Sequence, residues 1–154
     1  MLCAYCSYAS ASTMIRATPD PGHYNWCAMS ATTGLILYVH GARDPRWAEP
    51  FYRLRDNVAK RAPASRVVVA FLEHREPDLA QAVGAMAAEG VLHVRVVPMF
   101  FGRGGHLRED FPRQLDAARA AAPSVKFSVT EAAGENEAVL DALAAFAVNA
   151  AGTG

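Results

Sequence analysis

The chain has 154 residues, a size that fits one folded domain with a usable core and leaves no room for a second. With 52% hydrophobic and 19% charged residues it is a globular composition, which excludes a disordered chain. Its 15 acids against 15 Lys plus Arg, with no local basic run, exclude a nucleic-acid partner, because phosphate binding needs a surplus of cations to release counterions. No apolar stretch approaches the ~20 residues that cross a bilayer, and the start lacks the pattern of a secretory signal, so the expected location is the cytoplasm.

Residues 1–33 stand apart as an N-terminal extension, either disordered or a mis-called start; Met29 is an ordinary place to begin just before the first strand. All three cysteines lie there, so no disulfide framework can hold the core. Cys3, Cys6, His23 and Cys27 formally make a C-x2-C…H-x3-C set of zinc ligands, but no ribbon or helix pattern surrounds them to hold a tetrahedron. The domain is expected over 34–151, with 152–154 as a tail.

From Gly34 short apolar runs alternate with helical periodicity, the pattern of βα units around a parallel sheet. The first run, 34–39, is apolar on both faces, as a central parallel strand should be, and ends at His40-Gly41. Asp44-Pro45 supplies an N-cap and a first-turn proline. Trp47, Phe51, Leu54 and Val58 then mark an amphipathic helix whose first turns Pro50 would kink. The second strand, 66–72, ends at Glu73. Pro77 is expected to open a helix with Leu79, Val83 and Met86 on one face and Gly90 as its left-handed C-cap. The third strand, 92–97, leads through Pro98-Met99-Phe100-Phe101 into Gly102-Arg103-Gly104-Gly105, which delivers His106. A helix with Leu107, Phe111 and Leu115 follows, then a strand over 125–129. A closing helix over 138–150 carries Val139, Leu143, Phe146 and Ala150.

Right-handed crossovers make the expected fold a doubly wound α/β domain: four parallel strands in the order 2-1-3-4, with helices on both faces. In that order strands one and three are neighbours at the switch point, where ligands bind beyond the strands' carboxyl ends. His40 and His106 both fall on this crevice, with Glu73 on the flanking strand. Two imidazoles and a carboxylate can hold Co²⁺, Fe²⁺, Ni²⁺ or Zn²⁺ while leaving positions open. Singly, each has a plainer explanation, His40 as a turn cap for instance. His93 lies at the opposite end of its strand from the crevice. His74 either points to solvent or joins the site as an auxiliary ligand or proton carrier.

The 102–105 loop is either a tight connection needing positive φ or a small-residue surface that lets a flat ligand approach. Arg43, Arg103 and Arg108 are solvated cations or carboxylate anchors. Asp110 either orients the His106 ring or favours the helix dipole.

Three stretches together resemble the short CbiX-type class II chelatases. They are Leu35-Ile36-Leu37-Tyr38-Val39-His40-Gly41-Ala42-Arg43-Asp44-Pro45, then Phe71-Leu72-Glu73 with Glu76-Pro77, then Val97-Pro98-Met99-Phe100-Phe101-Gly102 with Gly104-Gly105-His106 and Asp110-Phe111-Pro112. The resemblance covers about 34–150. It implies insertion of Co²⁺, Fe²⁺ or Ni²⁺, the metal being a substrate, into sirohydrochlorin or a related modified tetrapyrrole of cobalamin or sirohaem biosynthesis, with no organic cofactor. It makes His40 and His106 the metal-binding and catalytic histidines and Glu73 the acid beside them. It further implies that Arg43, Arg103 and Arg108 with Gly102, Gly104 and Gly105 contact the macrocycle. One copy covers only part of so large a ring, and longer relatives look like two fused copies, so the resemblance implies a homodimer. The chain departs from the family where serine usually follows the first His-Gly, here Ala42, and where an apolar residue follows the acid, here His74. A metal-delivery protein using the same histidines is the rival reading. A histidine phosphatase is disfavoured because Val39 stands where such sites carry an arginine for the phosphate.

Overall fold

The structure is a computed structural model that describes residues 33–102 and 105–152, the side chains of 105–109 lying outside the description. The candidate zinc ligands of the N-terminal segment, and Arg103 and Gly104, are likewise outside it. Four strands, β1 (Thr33–Val39), β2 (Ser65–Phe71), β3 (His93–Pro98) and β4 (Lys126–Val129), form one parallel sheet in the order β2-β1-β3-β4, the expected arrangement. β1 is paired on both edges, Leu37 lying between Val69 and Val97.

The helices are α1 (Glu49–Arg61), α2 (Leu79–Ala88), α3 (Gly105–Ala121) and α4 (Glu137–Ala151). Alternation along β1 divides the core. Ile36 and Tyr38 join Leu79, Val83, Met86, Val94, Val96 and Phe100 beneath α2 and α3, whereas Leu35, Leu37 and Val39 join Val67, Val69 and Phe71 beneath α1. β4 and the first half of β3 are one-sided. Val94 and Val96 are buried, while His93 and Arg95 face solvent and Arg95 donates to the Ser128 hydroxyl.

Several boundaries differ from the expected ones for local reasons. Asp44 does cap, accepting from the Arg46 N–H, but the turn it starts, Pro45–Ala48, is a 3-10 turn. Pro50 has no N–H to close an α-turn, so instead of a kink in the helix's first turns there is a 3-10 turn, and the α-helix begins at Glu49 with Pro50 in its first turn. Pro77 does not open α2; it precedes the helix, after a cis peptide bond. Asp78 is the cap, in a reciprocal box where its carboxylate accepts from the Gln81 N–H and the Gln81 side chain accepts from the Asp78 N–H. Gly90 follows the cap residue Glu89 with φ +85°, the left-handed conformation expected of it. α4 forms, capped by Asn136, but its apolar stripe closes nothing: no residue of it is buried. No described helix is long and apolar enough to cross a membrane.

Candidate metal centre

The site is built on the carboxyl ends of β1, β2 and β3. Beyond the paired strands the backbone stays zipped. The Leu72 N–H donates to the Val39 carbonyl, the Glu73 N–H to the His40 carbonyl at 2.9 Å, and the Met99 N–H to the Tyr38 carbonyl. His40 and Glu73 are therefore neighbours through their main chains, on the sheet's central strand and the strand beside it.

Gly41 makes that approach possible. Its φ is +100°, and a Cβ there would overlap the Glu73 carbonyl oxygen. Only glycine combines the left-handed conformation with the absence of a side chain in that gap.

The His40 ring lies against Phe100, with centroids 4.5 Å apart and planes tilted by 57°. Phe100 is fully buried, so one face of the imidazole rests on the core while the residue as a whole remains open to solvent. Beneath it Tyr38 is stacked on Phe111 and meets Phe100 edge-on. The Tyr38 hydroxyl donates to Gln114 Oε1 at 2.7 Å, and Gln114 Nε2 donates to the Leu72 carbonyl at 2.7 Å. This relay ties β1, the exit of β2 and α3 together directly under the site. Burial pushes the Tyr38 phenol well above the usual tyrosine range, and the charges of Asp78 and Asp110 push it the same way.

Glu73 is exposed, and His74 Nε2 stands 3.4 Å from its Oε2. His74 is thus open to solvent, the first of the two alternatives the sequence left, with its ring beside the acid. Its φ is +61°, uncommon for a residue with a side chain. His106 is the second residue of α3, at the helix end that follows β3, which places its backbone on the same end of the sheet. Among the described residues no group of three His, Cys, Asp or Glu side chains converges on one point. His93 starts β3, at the far end of the sheet.

Arg43 is exposed beside Gly41. Gly102 has no positive φ, so the tight-turn account does not apply to it, and no described residue comes within 4 Å of where its Cβ would stand. Asp110 ion-pairs loosely with Arg113 at 3.8 Å. Sequence reasoning passed over Arg75. Its guanidinium lies over the Phe71 ring, 5.6 Å from the centroid, and its buried Nε has no hydrogen-bond partner among the described residues. An arginine two residues after the acid was the available signal.

A family model for CbiX matches residues 34–149. The chain belongs to the CbiX family. CbiX relatives include a sirohydrochlorin cobaltochelatase of Saccharolobus solfataricus, 34% identical over 82 residues, which are 53% of this chain and 62% of that protein. Another, from Sulfurisphaera tokodaii, is 27% identical over 110 residues, 71% of this chain and 87% of the relative. The chain thus spans under two thirds of the first relative's length and most of the second's. A solved structure described as a CbiX protein of cobalamin biosynthesis, from Marinobacter aquaeolei, superposes with a TM-score of 0.67 at 29% identity, covering 76% of this chain and 95% of that one. The sirohydrochlorin chelatase SirB of Bacillus subtilis, solved with cobalt, shares the fold with a TM-score of 0.63 at 23% identity, over 72% of this chain and 47% of SirB.

Proposed function

We propose that this CbiX-family chain inserts a divalent metal ion, Co²⁺ foremost with Fe²⁺ or Ni²⁺ as alternatives, into sirohydrochlorin or a related modified tetrapyrrole, and that it works as a homodimer. The observation that carries the reading is the juxtaposition at the switch point. His40 ends the central strand, Glu73 is bonded to it through the backbone and paired with His74, and the His106 position opens the helix after β3. The cobaltochelatase relatives support the substrate pair.

The metal ion is a substrate here. His40 and His106 would hold it through neutral ring nitrogens, leaving positions for incoming pyrrole nitrogens. Each M²⁺ that enters the macrocycle displaces two N–H protons, and the charge balances without a redox step. Glu73 and His74, 3.4 Å apart, form a proton-accepting pair at the rim. Arg43, Arg103 and Arg108, with Arg75 added, are the cations for the macrocycle's carboxylates. The lack of a side chain at Gly102 suits the approach of the flat ring.

The test is anaerobic incubation of the purified chain with sirohydrochlorin and Co²⁺, Fe²⁺ or Ni²⁺ in parallel, following the macrocycle's absorbance. Acceleration over the spontaneous rate is expected, with at least a hundredfold loss in His40→Ala and His106→Ala of unchanged circular dichroism. Retained metal binding without acceleration would make the protein a carrier and sink the enzyme reading.

A further inference from the structure

Phe100 and Phe101 are consecutive, and the fold treats them in opposite ways. Phe100 is buried against the His40 ring, 4.5 Å away, whereas Phe101 is 65% exposed. A lone apolar side chain in water needs no explanation by itself. This one, however, is held out by a braced backbone. The Met99 N–H donates to the Tyr38 carbonyl and the Gly134 N–H to the Phe100 carbonyl, both at 2.8 Å, so the chain is pinned on each side just before Phe101. Gly134 then closes in from the 3-10 turn Ala133–Glu135: a Cβ there would stand 2.5 Å from the Phe101 Cα and carbonyl oxygen. The Gly134 φ is not in the left-handed region, so it is the close approach that requires glycine. Trp47, also at a strand exit and 37% exposed, packs its ring on Phe51 at 5.0 Å, but Phe101 enters no aromatic pair among the described residues.

We infer that the Phe101 ring is a stacking platform for the flat conjugated macrocycle and sets its tilt over the metal that His40 presents. The inference rests on the chelatase reading and adds to it a residue that positions the organic substrate. The pyrrole nitrogens must meet the ion face-on, so a macrocycle centred on a metal at His40 overhangs whatever lies next to the support of His40. Phe100 is that support, and Phe101 is one step of about 3.8 Å further along the backbone. Beyond it Gly102 has no side chain to hold a flat ring away.

The two kinds of contact divide the work. Arginines answer the carboxylates at the periphery of the macrocycle, whereas an aromatic face answers its conjugated plane, by offset stacking and by removing apolar area from water. A ring whose backbone is already braced gives up less freedom on binding than one on a mobile loop. Phe101 touches the macrocycle and not the metal, so its contact is the same before and after the ion is transferred. Such uniform binding lowers KM and leaves kcat nearly unchanged.

Steady-state insertion of Co²⁺ by the full chain at varied sirohydrochlorin concentration tests it, alongside calorimetric binding of Co²⁺ alone. Phe101→Ala is expected to raise KM for the macrocycle about tenfold, with kcat within about twofold and Co²⁺ binding unchanged. Phe101→Trp keeps an aromatic face and should hold KM within about threefold of the parent, while Phe101→Leu keeps apolar area without a face and should behave like the alanine variant. Gly134→Ala keeps the ring but displaces its backbone, and should raise KM in the same direction. If Phe101→Ala does not fold, the leucine and tryptophan variants carry the same comparison. An unchanged KM in Phe101→Ala, a leucine variant equal to the parent, or a fall in kcat or in Co²⁺ binding as large as the rise in KM overturns the inference and leaves the chelatase reading standing. A parent chain that does not accelerate insertion overturns the chelatase reading, and this inference with it.

Discussion

β1 and α4 are both apolar segments, and the fold treats them in opposite ways. β1 has a neighbour on each edge and a helical layer on each face, and its residues from Gly34 to Val39 are all buried. α4 follows the one-sided edge strand β4 and leaves its Leu and Phe side chains in solvent. The candidate chemistry sits at the end of the first, where His40 inherits the rigidity of the core. The second holds no candidate chemistry, and its apolar area is left out of the domain's own core. Apolar sequence alone therefore does not say whether a segment is buried; the layers that topology sets beside it decide.

The largest expected effect breaks this contrast most directly. Phe71→Ala, at a fully buried position against Tyr52, should destabilise the fold by about 3–5 kcal/mol in urea titration. Phe146→Ala should cost under ~0.5 kcal/mol because its ring is in water. Comparable losses at the two positions would mean that α4 packs on its own domain.

A smaller effect tests how the site is mounted. Gly41→Ala must accept a positive φ and displace the Glu73 carbonyl, so a loss of about 2–3 kcal/mol is expected together with loss of metal insertion. The penalty should be local, with Glu73 and His74 moving off His40. A Gly41→Ala chain as stable and as active as the parent would show that the backbone junction between His40 and Glu73 is not what positions the site. Gly90→Ala is the internal comparison. It has the same sign of φ but nothing within 4 Å of its Cβ, so it should cost no more than ~1 kcal/mol and spare activity.

What could be read from the sequence follows the same division. The strand order and the positions of His40 and Glu73 were legible because β1 is apolar on both faces and the apolar runs of the first two strands give way to His40 and Glu73. The α1 start was not, because a cap and a proline at Asp44-Pro45 compete with a second proline five residues on, and the missing Pro50 N–H selects a 3-10 turn first. The α4 stripe was legible as a stripe, but periodicity carries no information about what lies opposite it. Gln114 was invisible, since it joins Tyr38, 76 residues away, to the Leu72 carbonyl, 42 residues away, and no local pattern announces such a contact.

That relay supplies the smallest of the three effects and a pH signature. Tyr38→Phe removes the donor to Gln114 Oε1 and should cost about 1–2 kcal/mol at neutral pH. In the folded chain the phenol is held protonated above its ordinary range by burial and by Asp78 and Asp110, whereas in the unfolded chain it ionises near its ordinary value of 10.0. Between those two points the folded state binds the extra proton, so raising the pH favours unfolding. The contribution of Tyr38 is thus complete below about pH 10 and lost as the pH climbs toward the folded value, a window in which the wild type should lose stability faster than Tyr38→Phe. Parallel urea titrations of the two proteins at pH 8 and above check this. Identical pH slopes would mean that water reaches the phenol, and the floor beneath His40 would then be looser than the Tyr38, Phe100 and Phe111 packing implies.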